Sequence, residues 1–252
     1  MNSKVSVICC YNDKKVLTNM LEYSLNNQDI EIERIFIDNT RNQYSSSAAA
    51  LNAGANNSSG DILIFVHQDI ALNNNETISR VIDYLKERHP CILGFAGKGA
   101  DNFLYSNMKQ GSDNDYAGEK QIASTKQVQT LDESFVAIEK TLFMKYLFDE
   151  QTCNNWHLYV VDLCLTFGEN NIPSYVVPCD AYHLSKGNIG TAFYKSLIPV
   201  VRKHHAYYSI IYATCATIKT SFFNRMYFVA YNIIRVTVKN HLFRNKKEKI
   251  KK

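Results

Sequence analysis

Gly60-Asp61-Ile62-Leu63-Ile64-Phe65-Val66-His67-Gln68-Asp69 is the stretch from which the fold can be read. Five apolar residues, Ile62 to Val66, run unbroken between Gly60-Asp61 and the Asn73-Asn74-Asn75 cluster beyond Ile70. A short run that is apolar at every position predicts a strand buried on both faces, as in a parallel sheet. Where the run stops, His67-Gln68-Asp69 begins. In open α/β sheets ligands bind outside the carboxyl ends of the strands, and a carboxylate there suits a hard divalent cation. In isolation, a solvated strand end would look the same.

The flanking sequence supplies the rest of the sheet. Residues 5–10 are a short apolar run, β-branched at Val5, Val7 and Ile8, that ends in Tyr11-Asn12-Asp13. Residues 14–26 place Val16, Leu17, Met20, Leu21 and Leu25 at helical spacing, with Asn12 or Asp13 as the cap. Ile35-Phe36-Ile37 then reads as a strand ending in Asp38-Asn39-Thr40. The opening is therefore β-α-β, and right-handed crossover sets the polar strand ends along one edge. Residues 48–55 predict a short helix, 75–88 a longer one capped by Asn75 and stopped by Pro90, and 92–97 a strand. Residues 107–130 are polar and glycine-punctuated, a loop long enough to be functional or mobile. Structure resumes over 131–138, a helix is expected over 156–167 and a strand over 174–178. Beyond residue 193 the expectation is helix throughout, including 207–218.

Composition narrows the class. The chain has 252 residues, 46% hydrophobic and 21% charged, as in ordinary globular proteins. The net charge of +4 is small, and much of the excess lies in a basic tail after Lys239. Seven cysteines without metal-type spacing suggest reduced thiols and a cytoplasmic setting. After Met1-Asn2-Ser3-Lys4 the chain passes directly into a strand, so no signal peptide is expected, nor a membrane-spanning stretch.

Four elements in order carry a family resemblance. They are Val5 through Asp13, Ile35-Phe36-Ile37-Asp38-Asn39, Leu51-Asn52-Ala53-Gly54, and Gly60 through Asp69. Together they resemble the nucleotide-binding half of a family 2 type glycosyltransferase with the GT-A fold. A looser similarity continues through Gly94-Phe95-Ala96-Gly97, the 131–138 segment and residues 156–165; the last sixty or so residues resemble nothing we can name. The resemblance implies a Rossmann-like, mostly parallel α/β sheet flanked by helices. It divides residues 1–192 into a nucleotide-sugar half (1–100) and an acceptor half (101–192), leaving 193–252 as a helical C-terminal extension.

Residue roles follow from the same resemblance. Tyr11, Asn12, Asp38, Asn52, Gln68 and Asp69 would bind the nucleotide sugar, with UDP favoured and Asp38 meeting the base. Asp69 would hold Mn²⁺ or Mg²⁺, and His183 would add an imidazole, which Mn²⁺ accepts more readily. Asp162 would be the general base of an inverting transfer, with Asp132 behind it. Three departures stand out. His67 occupies the place of the first Asp in the family's Asp-x-Asp, Leu51 replaces an Arg, and Tyr159-Val160 stand where acidic residues are common. The reading is thus a transferase acting on a glycan or lipid-linked glycan, as in polysaccharide biosynthesis. The alternative is a non-catalytic nucleotide-sugar-binding or scaffold protein of the same fold. A nucleotidyltransferase ranks low, because no glycine-rich, lysine-containing phosphate loop follows the first strand. The basic and aromatic residues of the C-terminal segment suit either a peripheral contact at the inner face of a membrane or a dimerisation arm. No nucleic-acid module is present.

Overall fold

The computed structural model describes residues 3–187 and 189–250, with side chains described as far as His241. The tail at 246–252 therefore has its side chains outside the described residues. A seven-stranded sheet forms the centre, in the order Lys126–Val128, Ser174–Val176, Ile92–Gly94, Phe135–Glu139, Ile62–Val66, Val5–Tyr11, Ile32–Asp38. Ile62–Val66 is buried at every residue, as its unbroken apolar run requires. It lies parallel to Val5–Tyr11, which is parallel to Ile32–Asp38, with Tyr11 level with Asp38. On its other side Phe135–Glu139 runs antiparallel, pairing Phe135 with Val66. The three strands within residues 5–66 are thus parallel, and the sheet becomes mixed beyond Ile62–Val66.

Side chains of successive strand residues pack into separate apolar layers on the two faces of the sheet. Ile8, Leu63 and Phe65 belong to one layer; Val7, Ile64 and Val66 belong to the other. Helix Ser47–Asn56 covers the first face, its N-terminus capped by Ser46 Oγ accepting from Ala49 N–H at 3.2 Å. Gly54 lets it approach: a Cβ there would lie 2.9 Å from Ile37 Cδ1 and closer still to Ile8. The first helical stretch begins at Lys14, with Asp13 accepting from the N–H groups of Lys15 and Val16. Helix Thr77–Arg88 starts two residues later than expected, because Asn75-Glu76 form a turn ahead of it: Asn74 Oδ1 accepts from Glu76 N–H at 2.8 Å and Asn74 O from Thr77 N–H at 3.2 Å.

Two expectations change. The polar loop at 107–130 contains short strands, Lys109–Gln110, Asp115–Tyr116 and Lys126–Val128, the last on the edge of the main sheet. Residues 207–218 do not form helix. Ile210–Ala213 and Ala216–Lys219 form a hairpin around Thr214-Cys215. Its burial alternates, with Ile211, Ala213, Ala216 and Ile218 inward, so the aromatic-rich stretch has period two rather than 3.6. Thr191–His204 and Phe222–Ile250 are helices, and side chains from all three C-terminal elements, among them Leu197, Val200, Ile211 and Val229, enter the layer on the first face.

Candidate functional site

The organising strand ends in a tight turn, with Ile70 N–H donating to His67 O at 3.3 Å. The chain then changes sheets. Ile70–Leu72 pairs antiparallel with Ala181–His183, setting His183 opposite Ile70, and Leu184 N–H donates to Asp69 O at 3.0 Å. This crossing brings two residues 114 positions apart in sequence into one cluster (183 − 69). His183 Nε2 lies 3.2 Å from Asp69 Oδ1 and 3.2 Å from Ser185 Oγ. The His67 ring is 5.7 Å from that of His183. Among the described residues, His67, Asp69 and His183 are the one group of three such side chains whose ligand atoms lie within 4.8 Å of one another.

The electrostatics suit a cation. Burial alone would raise the Asp69 carboxyl, but the hydrogen bond and charge of His183, with the charge of His67, outweigh it and hold Asp69 well below the usual carboxylate range. Burial, then the charge of His183, pushes the His67 imidazole down toward its neutral, ligating form. Two imidazoles and one carboxylate favour Mn²⁺ over Mg²⁺. His67 counted against a metal in the sequence; in the fold it is the third potential ligand. The His-x-Asp spacing at a strand end was the signal for it.

A cleft of about 260 Å³ opens beside this cluster, lined by Tyr11, Asn12, Asn39, Gln68, Asp69 and Trp156 among others. Its floor is locked. Gln68 Oε1 accepts from the N–H groups of Asn12 (2.9 Å) and Asp13 (3.0 Å), and Gln68 Nε2 donates to Asn12 Oδ1 at 2.8 Å. Asn12 and Gln68 thus spend much of their polarity on joining two strand ends. Asp38 is exposed, and its Oδ1 accepts from Thr40 N–H and Thr40 Oγ1–H at 2.8 and 2.7 Å. Asp38 is therefore a turn cap; its neighbours Tyr11 and Asn39 line the cleft and it does not.

Other expected site residues lie elsewhere. Asn52 is buried, its amide donating to Phe148 O and Glu150 Oε1 and accepting from Phe148 N–H. It pins a loop and does not line the cleft. Leu51 is in the core, so no ionic contact replaces the missing Arg. Asp162, expected to face an acceptor, is instead buried inside helix Tyr159–Glu169. Its oxygens contact Lys203 Nζ at 2.7 Å and His204 Nε2 at 2.9 Å, and His204 Nδ1 contacts Glu169 at 2.6 Å. The physical reason is that this helix is apolar on nearly every face, so its one early carboxylate must be paired internally.

Asp132 is half-buried beside the cluster. Oδ1 accepts from Ser134 N–H at 3.0 Å, and Oδ2 accepts from the Thr214 hydroxyl at the hairpin tip at 3.2 Å. Its charge is felt by both His67 and His183, and the neighbouring Ser134 carbonyl accepts from His67 N–H. Glu133, next to it, gave no signal in the sequence. Burial, then the charge of Asp132, pushes its carboxyl up to about 8, against the lowering effect of Leu158 and Tyr159 N–H groups at the helix start. Its Oε1 is buried without a partner. The folded state therefore holds a proton here that the unfolded chain releases above its ordinary value near 4.5. Stability should fall as pH rises from 5 to 8, on the order of a few kcal/mol. Glu133→Gln is expected to flatten that fall, as followed by thermal melting across this range; an unchanged slope would refute the assignment.

Comparison with known proteins places these features. A model of a glycosyltransferase-like family matches residues 6–184. Among solved structures, the chain is similar to GalNAc-T7 with UDP, GalNAc and Mn²⁺, at TM-score 0.58 and 14% identity, over 79% of this chain and 48% of that one. It is similar to S. aureus TarS 1–349 in complex with UDP-GlcNAc, at TM-score 0.53 and 18% identity, over 79% and 66%. It is also similar to the mannosyltransferase PcManGT from Pyrobaculum calidifontis in complex with GDP-Man and Mn²⁺, at TM-score 0.58 and 11% identity, over 82% and 65%. At these identities the likeness shows the GT-A fold, and the chain spans about half to two thirds of those structures' length. No curated protein sequence matches it.

Proposed function

The chain belongs to the glycosyltransferase-like family, and on that premise we propose that it transfers a sugar from a nucleotide-diphosphate sugar, UDP-linked by preference, to a glycan or lipid-linked glycan. The observation that carries this reading is the convergence of His67, Asp69 and His183 at the mouth of a cleft on the carboxyl edge of the sheet. Asp69 and His183, with His67, would hold a divalent cation, Mn²⁺ rather than Mg²⁺. When bound, such an ion supplies a Lewis acid that neutralises the leaving diphosphate.

The chain's own residues do the rest. Gln68 and Asn12 keep the two strand ends in fixed register. Tyr11 presents an aromatic wall, and Asp38, level with it on the neighbouring strand, would offer an acceptor for a base with an imide N–H. Asp132 takes the proton from the acceptor hydroxyl as that oxygen attacks the anomeric carbon. The bond to the diphosphate breaks on the opposite face, so configuration inverts. Screening nucleotide sugars for donor hydrolysis and transfer, with Mn²⁺, with Mg²⁺ and with chelator, tests the proposal. Metal-dependent turnover of one donor is expected; binding without turnover of any would favour the second reading, a nucleotide-sugar-binding protein. The observation that favours that reading is Val160 at the helix start together with the internal pairing of Asp162.

Asp38→Ala should weaken nucleotide binding and leave metal binding unchanged. Loss of a hydrogen bond to a partly buried partner costs about 1–3 kcal/mol. Calorimetric titration with UDP measures it; an unaltered dissociation constant would leave Asp38 only its bond to Thr40.

A further inference from the structure

Helix Phe222–Ile250 packs one face on the body and leaves an apolar stripe bare on the other, over the residues whose side chains are described. One is covered: Arg225, Val229 and Asn232 are buried, Phe228 packs against Tyr194, and Arg235 donates to the Tyr194 hydroxyl of helix Thr191–His204. The opposite face is bare. Phe223 is 83% exposed, Tyr227 73%, Tyr231 53%, Ile234 63% and Val238 51%. Their spacing of four, four, three and four residues places them on one stripe, about 22 Å long at 1.5 Å per residue. No helix among the described residues is long and apolar enough to cross a membrane.

Charge decides what covers it. From Phe222 to Lys252 the sequence carries nine Lys or Arg and a single acid, Glu248. Arg225 and Arg235 lie on the covered face, so the charge that bears on the bare one is the basic run from Lys239 onward, which two copies packed in parallel would bring together with only Glu248 to pair it. An anionic lipid surface supplies the missing negative charge, and its headgroup region accepts phenyl and phenol rings.

We infer that the outer face of the C-terminal helix docks on an anionic bilayer, with Phe223, Tyr227, Ile234 and Val238 entering the headgroup layer. Lys239 is exposed one residue beyond Val238, and the basic sequence that follows adds attraction. The body is held to this helix by the preceding hairpin, where Thr130 Oγ1 donates to Tyr212 O at 2.5 Å and Tyr212 N–H donates to Gln129 Oε1 at 2.6 Å. Docking would therefore fix the cleft's orientation to the lipid. The inference does not depend on glycosyl transfer, only on this surface.

Flotation of the full chain with vesicles tests it, alongside light scattering. Binding is expected to vesicles of phosphatidylglycerol with phosphatidylcholine and not to phosphatidylcholine alone, and should be released as salt rises. The double variant Tyr227→Ser with Ile234→Ser removes two exposed apolar side chains, so partitioning should fall roughly tenfold or more. Its UDP affinity and melting temperature should hold, because neither residue touches the core. Absence of anionic-vesicle binding by the wild-type chain would overturn the inference. So would a dimer in solution that the same double variant dissociates without altering flotation.

Discussion

Asp69→Ala is expected to remove the metal-dependent part of nucleotide binding altogether. In the wild-type protein, UDP should bind far more tightly with Mn²⁺ than with chelator; in the variant the two affinities should coincide at the weaker value. Even residues outside a metal's own ligand shell typically contribute 10- to 100-fold to its affinity, so loss of the sole carboxylate in this cluster should cost about 100-fold or more. The fold should survive, since among the described residues the Asp69 carboxylate is paired with His183 alone, at 3.2 Å. Removing it also frees His183, whose imidazole is raised because the Asp69 hydrogen bond and charge outweigh burial. His67 offers a second test of the same cluster. His67→Asp exchanges an imidazole for a hard oxygen ligand, so the preference for Mn²⁺ over Mg²⁺ should narrow. Calorimetry of each variant with each ion measures both effects. Equal affinity of the wild type with and without metal would end the metal reading.

The sequence showed the frame of this site more clearly than its chemistry. The unbroken apolar run at Ile62 and the β-branched run at Val5, interrupted only by Ser6, announced buried parallel strands, and the polar residues closing each one announced the functional edge. Those are local signals, set by burial on both faces of a sheet. The approach of His183 to Asp69 was expected only through a resemblance, because it depends on a short strand pairing across to a second sheet. Asn52-x-Gly54 was legible as a motif but not in its meaning: Asn52 pins the Phe148 loop and Gly54 admits the helix to the sheet. The hairpin at Ile210–Lys219 was hidden because aromatic content masked a period-two burial pattern. Asp162 was misleading for a related reason. A carboxylate early in a helix is favourable next to the helix dipole whatever else it does, and nothing local shows that Lys203 and His204 close over it from a segment some forty residues away.

That pairing is the ground on which we propose Asp132 rather than Asp162 as the base. Asp132→Asn should keep the fold and the UDP affinity while lowering turnover by about 10²- to 10⁴-fold, the usual contribution of general-base catalysis. Its partners, Ser134 N–H and the Thr214 hydroxyl, are both donors, and an amide oxygen can still accept from one of them. Asp162→Asn should behave in the opposite way. It withdraws the charge that balances Lys203 and weakens the contact to the fully buried His204, so its cost falls on stability, on the order of 2–3 kcal/mol. Turnover per folded molecule should then be nearly unchanged. Melting curves and turnover measured on both variants separate the two roles in one experiment. If Asp162→Asn abolished transfer at an unchanged melting temperature while Asp132→Asn stayed active, the base would lie on the helix, and the buried pair would have to open during the reaction. If neither variant altered a measurable transfer, the proton would leave by another group, and Glu133, buried beside Asp132 with one oxygen unpartnered, would be the next carboxylate to replace.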